Sequence, residues 1–227
     1  MATSKKESYL HLISTEQLNT SQGVAELLLH TDNGSINTRY HAAGANGSPA
    51  VIWVGGAGGG LDGPAGGMYP RLAQKLTQNN IASLRLHYRF PNHLPECVLD
   101  TQLGVEYLRS IGHSLIALVG HSFGGAVVIS AGAQNEHVTG VVAMSSQTYG
   151  TEGIRRLSPR PLLLMHGTAD EVLPDACSRD LYARALEPKE LKLYPKCRHG
   201  LDLCRDQVDH DLLLWLVFTL AIQAGEI

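Results

Sequence analysis

Along this chain, short and almost uninterrupted apolar runs alternate with longer stretches in which apolar positions recur at helical spacing. The short runs predict strands at 50–55, 81–87, 114–120, 138–145, 161–167 and 190–194, because a strand covered on both faces has no need of alternating polar positions. The stretches between and after them predict helices at 68–78, 96–111, 123–134, 176–186 and 205–224. Two earlier segments, 24–30 and 36–42, flank Thr31-Asp32-Asn33-Gly34-Ser35 and predict a hairpin, followed by the turn-rich 44–49. Strands that alternate with helices pair in parallel, since parallel neighbours need crossover connections. The expected fold class is therefore α/β: a mostly parallel central sheet opened by an antiparallel hairpin, with helices on both faces and the working residues at the carboxyl ends of the strands. The expected organisation is one domain over residues 23–227, preceded by an N-terminal extension over residues 1–22, with no internal repeat.

The last predicted helix carries Leu212-Leu213-Leu214-Trp215-Leu216-Val217-Phe218-Thr219-Leu220-Ala221-Ile222, apolar on every side. Eleven residues fall short of the about 20 that cross a bilayer, so this helix is expected to close against the sheet or to meet a second subunit. A net charge of -3, with 17% charged residues and no Lys/Arg run longer than two, offers no electrostatic footprint for nucleic acid or an anionic membrane. A small neutral or mildly charged partner is expected. The first 22 residues contain Lys5 and Lys6 but no long apolar core, so they do not read as a signal peptide and a cytoplasmic location is expected. Cys97, Cys177, Cys197 and Cys204 are too few and too irregularly spaced for a disulfide framework, and reduced thiols are expected. Cys197-Arg198-His199 with Cys204 and His210 gathers metal-ligand residue types without any familiar zinc spacing, so neither a metal nor another cofactor is expected.

The chemistry concentrates in Gly120-His121-Ser122-Phe123-Gly124-Gly125, which lies where a predicted strand becomes a predicted helix. In G-x-S-x-G the serine sits on that sharp turn, and glycines two residues before and after allow strand, turn and helix to pack closely. A serine hydroxyl needs a base to take its proton and a third group to orient that base. Asp170 follows the strand 161–167 in His166-Gly167-Thr168-Ala169-Asp170, and His199 follows the next strand in Pro195-Lys196-Cys197-Arg198-His199-Gly200. The order Ser122, Asp170, His199 assigns nucleophile, acid and base to one edge of the sheet. Glu171 or Asp175 could replace Asp170 as acid, His210 could replace His199, and Ser122 could be an ordinary helix cap. His121 and His166 flank the site in sequence but are expected to point elsewhere, as packed or hydrogen-bonded residues without chemistry of their own.

Developing negative charge on a substrate oxygen needs fixed donors. Phe123 N–H, next to the nucleophile, is one candidate; Ala57, in the glycine-rich loop Gly55-Gly56-Ala57-Gly58-Gly59-Gly60, is the other, with Gly58 as its nearest rival. That loop also satisfies G-x-G-x-x-G, but Pro64, Gly66 and Gly67 delay the following helix and the next strand ends without a ribose-binding acid, so dinucleotide binding is not expected. Tyr88 and Arg89, at the end of the strand 81–87, are expected to line the substrate pocket. The segment 147–160 is too short for a lid domain.

With these residues in place, the chain resembles the α/β-hydrolase superfamily, most nearly the small serine esterases similar to dienelactone hydrolase. The elbow 120–124, the acid loop 166–170 and the histidine loop ending at His199-Gly200 carry the resemblance, which runs over nearly the whole chain from the first hairpin. It implies hydrolysis of an ester, thioester or related acyl bond of a small substrate. Dienelactone hydrolases proper use cysteine as nucleophile where this chain has Ser122, so their lactone ring-opening does not carry over. Two other readings remain open at this level: a non-catalytic protein that keeps the same pocket for ligand binding, and an adaptor that uses an exposed C-terminal helix.

Overall fold

The computed structural model describes residues 9–44 and 47–225. Residues 1–8 of the expected extension and residues 45 and 46 of the turn-rich segment lie outside the described residues. Among the described residues, nine strands form one sheet: β1 Leu12–Ser21, β2 Val24–Thr31, β3 Gly34–His41, β4 Ala50–Val54, β5 Ala82–His87, β6 Ile116–His121, β7 Val138–Met144, β8 Leu162–Gly167 and β9 Lys189–Tyr194. Five α-helices accompany them among the described residues: α1 Pro64–Thr77, α2 Leu94–Ser110, α3 Phe123–Gln134, α4 Ala176–Arg184 and α5 Arg205–Ala224. The spatial order is β1-β2-β3-β5-β4-β6-β7-β8-β9. β1, β2, β3 and β5 pair antiparallel in succession, and every pair from β5 through β4 to β9 is parallel.

The sheet's two faces build two cores. Ile52, Val54, Leu84, Leu86, Leu118 and Leu164 point to one face, against α2, α3 and α4; Val51, Trp53, Val119, Met144, Leu163 and Met165 point to the other, against α1 and α5. Successive strand residues face opposite ways, so the continuous apolar runs of β4, β6 and β8 serve both cores at once. On α1, Met68, Leu72 and Leu76 recur every fourth residue and face the sheet. Its first turn is irregular: Ala65, Gly66 and Gly67 have positive φ, so regular helix begins near Met68.

Two expectations change. The segment read as an N-terminal extension supplies β1, which adds to β2 as the outermost strand. All of its positions except Leu12 are exposed, so it lacks the apolar alternation that reveals a strand. Cys197 and Cys204 are joined by a disulfide, in place of the expected thiols, while Cys97 and Cys177 are free. The 3-10 turn Asp202–Cys204 brings the two cysteines together, a reversal that their spacing alone does not announce. As expected, α5 closes against the sheet through Val208, Leu212, Leu216 and Leu220, while Leu214, Phe218 and Ile222 stay exposed along its outer side. Among the described residues no helix is long and apolar enough to cross a membrane.

Candidate active site

β4 connects to β5 on one side and β6 lies on its other side, so the direction of winding reverses between β4 and β6. Ligands in open α/β sheets bind at such a reversal, beyond the carboxyl ends of the strands. The loop after β4 is the glycine-rich 55–63, and the residue after β6 is Ser122.

Ser122 has φ 58 and ψ -122, a left-handed backbone that is costly for a residue with a side chain. Its N–H donates to the Met144 carbonyl at 2.8 Å, and its own carbonyl accepts from Gly125 N–H at 3.0 Å, which hold the turn from both sides. A Cβ on Gly120 would press on the Gly124 carbonyl, and a Cβ on Gly124 would press on the Gly55 carbonyl, both far inside contact distance. Only glycine fits either position. The Ser122 hydroxyl makes no capping bond to α3; it lies 3.0 Å from His199 Nε2.

His199 Nδ1 lies 2.7 Å from Asp170 Oδ2. A carboxylate accepts only, so Nδ1 carries the hydrogen and Nε2 is left to accept the Ser122 proton. Asp170 Oδ1 accepts N–H bonds from Val172 and Leu173, each at 2.8 Å. Burial pushes the Asp170 carboxyl up, but the Leu173 N–H, the His199 ring and the Val172 N–H outweigh it and hold it below its ordinary value. The alternative residues are engaged elsewhere: Glu171 accepts the His199 backbone N–H at 3.3 Å, Asp175 pairs with Arg179 at 3.0 Å, and His210 is exposed on α5.

The two histidines expected to be bystanders both touch this cluster. His166 is fully buried, with Nε2 3.1 Å from Asp170 Oδ2 and 3.0 Å from the Leu173 carbonyl, and Nδ1 2.7 Å from Ser178 Oγ. Facing two acceptors, Nε2 is the donor, and Ser178 donates to Nδ1. His121 Nε2 lies 2.9 Å from the His199 carbonyl. The sequence signal was present, since each precedes a site residue by one or four positions, but the side chains' directions depend on the fold.

The glycine-rich loop lies against the serine: a Cβ on Gly56 would be 3.6 Å from Ser122 Cβ. Ala57 is exposed on the turn closed by Gly59 N–H to the Gly56 carbonyl at 2.9 Å. Phe123 begins α3, so its N–H has no acceptor in the helical ladder. β5 and the residue after it anchor the loop, through Gly60 N–H to His87 Nδ1 at 2.8 Å, Arg85 Nη1 to the Leu61 carbonyl at 3.1 Å and the Tyr88 hydroxyl to the Gly55 carbonyl at 3.1 Å.

Tyr88 and Arg89 are not where a pocket-lining role requires. Tyr88 is 1% exposed and packs edge-on against Phe123 at 6.3 Å between ring centroids. The Arg89 side chain is 2% exposed, paired with Asp100 and with Glu96 at 2.7 Å, and donates to the Asn33 carbonyl at 2.7 Å. The end of β5 reaches the active edge as expected, but Tyr88 braces the glycine loop, while Arg89 ties the end of β5 to α2 and the first hairpin.

Residues 151–203, which include Asp170 and His199, match the family described as serine aminopeptidase, S33. An uncharacterized protein, YfhR of Escherichia coli O157:H7, is 31% identical over 148 residues, which make up 50% of this chain and 52% of that protein. The chain thus spans about half the length of the curated relatives it matches. Est1E of Butyrivibrio proteoclasticus superposes with a TM-score of 0.74 at 17% identity, covering 86% of this chain and 99% of that one. A dienelactone hydrolase of Anabaena variabilis gives 0.70 at 15%, covering 83% and 97%.

The nine-stranded sheet, its switch point and its flanking helices define a protein of the α/β-hydrolase fold.

Proposed function

We propose that this protein is a serine hydrolase that cleaves an ester, thioester or related acyl bond of a small substrate through an acyl-enzyme on Ser122. The observation that carries the reading is the continuous chain from Ser122 Oγ to His199 Nε2 at 3.0 Å and from His199 Nδ1 to Asp170 Oδ2 at 2.7 Å. His199 takes the Ser122 proton as Oγ attacks the substrate carbonyl, and the ionised Asp170 stabilises the imidazolium. The N–H groups of Phe123 and Ala57 receive the oxyanion. As the tetrahedral intermediate collapses, His199 returns the proton to the departing alcohol or thiol, leaving the acyl group on Oγ. Water, deprotonated by the same imidazole, then releases the acid and restores the serine. Among the described residues, the segment 147–160 consists of turns and the short 3-10 helix Ile154–Leu157 and forms no lid domain.

Ser122→Ala tests the assignment. Turnover of 4-nitrophenyl acetate is expected to fall by about a thousandfold or more, and a fluorophosphonate probe is expected to label wild type alone. Wild type that folds, yet neither turns over the ester nor takes the label, would instead identify a ligand-binding protein.

A further inference from the structure

We infer that His121, which the chemistry above does not use, is a positioning residue that fixes the backbone of His199 and so sets the distance between base and nucleophile. The inference rests on the proposed roles of Ser122 and His199. His199 stands on a loop beyond β9, whereas Ser122 stands on the turn beyond β6, and their side chains meet through one hydrogen bond. What holds the loop to the turn is His121, the last residue of β6 and the residue bonded to Ser122. Its Nε2 donates to the His199 carbonyl at 2.9 Å, and the rings lie 4.8 Å apart at a tilt of 50°. Ser145, fully buried after β7 with φ 44, donates its hydroxyl to the same carbonyl at 3.3 Å. The His199 N–H is engaged by Glu171. Both backbone groups of the base are thereby tied to elements other than its own loop.

A histidine suits this place for a physical reason. Burial pushes the His121 imidazole down to about 4, outweighing the pull of the carbonyl it donates to. It therefore donates as a neutral ring and adds no positive charge beside His199 when that residue takes the serine proton. A lysine or arginine could reach the carbonyl but would repel the imidazolium.

Reach separates the two conservative variants. Glutamine places an amide nitrogen about as far from Cα as His Nε2, while asparagine stops near the position of Nδ1. In the whole protein, His121→Asn is expected to lower kcat for 4-nitrophenyl acetate by about tenfold, with KM within about twofold, because the loss is one of alignment. His121→Gln is expected to recover kcat to within about threefold of wild type, and fluorophosphonate labelling of Ser122 should follow the same order. Ser145→Ala, which removes the weaker donor, should lower kcat by about two- to fivefold and supports the inference even if His121→Asn does not fold. Equal kcat in the Asn and Gln variants, or Asn and Ala variants that match wild type, would overturn it. Wild type that neither turns over nor labels would overturn the catalytic reading itself, an outcome distinct from variants that differ from wild type in nothing.

Discussion

Arg89 was expected at a pocket wall and is instead the partner of a carboxylate with no solvent exposure, Asp100. Burial raises the Asp100 carboxyl above its ordinary value, against the bonds and charge of Arg89 that draw it down. Arg89→Leu leaves that carboxylate buried and unpaired, which costs roughly 3 to 5 kcal/mol. Chemical denaturation should therefore record a large loss of stability, while KM for small esters stays near wild type. A stable variant with a raised KM would restore Arg89 to the substrate wall. The same comparison shows what single residues reveal in sequence. That Ser122, Asp170 and His199 meet was legible because each falls on a strand end in a particular order. Where Tyr88 and Arg89 point was not, because a residue just past a strand can turn outward to substrate or inward to the next helix, and only packing decides.

Among the elements, β4 through β9 and all five helices were legible within a few residues, because strands buried on both faces write continuous apolar runs and their helices write a helical period. β1 was invisible for the complementary reason: an edge strand with both faces in water has a polar sequence. The disulfide was missed because its cysteines are separated by seven positions along the chain and meet only through a local turn. Its place matters, since Cys197 and Cys204 enclose the loop that presents His199. Closing a loop of this size removes unfolded-state freedom worth about 2 to 3 kcal/mol. Cys204→Ser is expected to lose about that much stability and part of its ester turnover, and dithiothreitol should bring wild type to the same level. Identical melting and turnover with and without the reductant would show that the bond contributes nothing to the loop.

For the molecule as a whole, two histidines make stability depend on pH. His41 is pushed down to about 4 by burial and then by Arg85, whose Nε donates to it, and His121 is pushed down to about 4 chiefly by burial. In the unfolded chain both would titrate near the ordinary value of about 6.5. The unfolded state therefore binds more protons between about 4 and 6.5, and the stability these groups contribute is complete above that window and drains away through it as the pH falls. For His121 the full effect is on the order of 3 kcal/mol. Urea midpoints of wild type should fall across the window, and His121→Gln should flatten the slope. A wild-type midpoint constant from pH 7 to 4 would contradict the neutral state of both rings.

The outermost strand, β1, has a consequence for how molecules of this protein meet. A free sheet edge is a template on which another chain can lay a strand, provided the ladder of N–H and C=O groups is regular. β1 has irregular register at Leu12/Ser14 and again at Gln17/Asn19, and such bulges twist an edge and interrupt its ladder. The opposite border, β9, carries Lys189, Glu190 and Lys192, whose charges resist being stacked against a neighbour. Both margins of the sheet are thus poor seeds for filament growth, and crowding should favour separate molecules over sheets extended from one copy to the next.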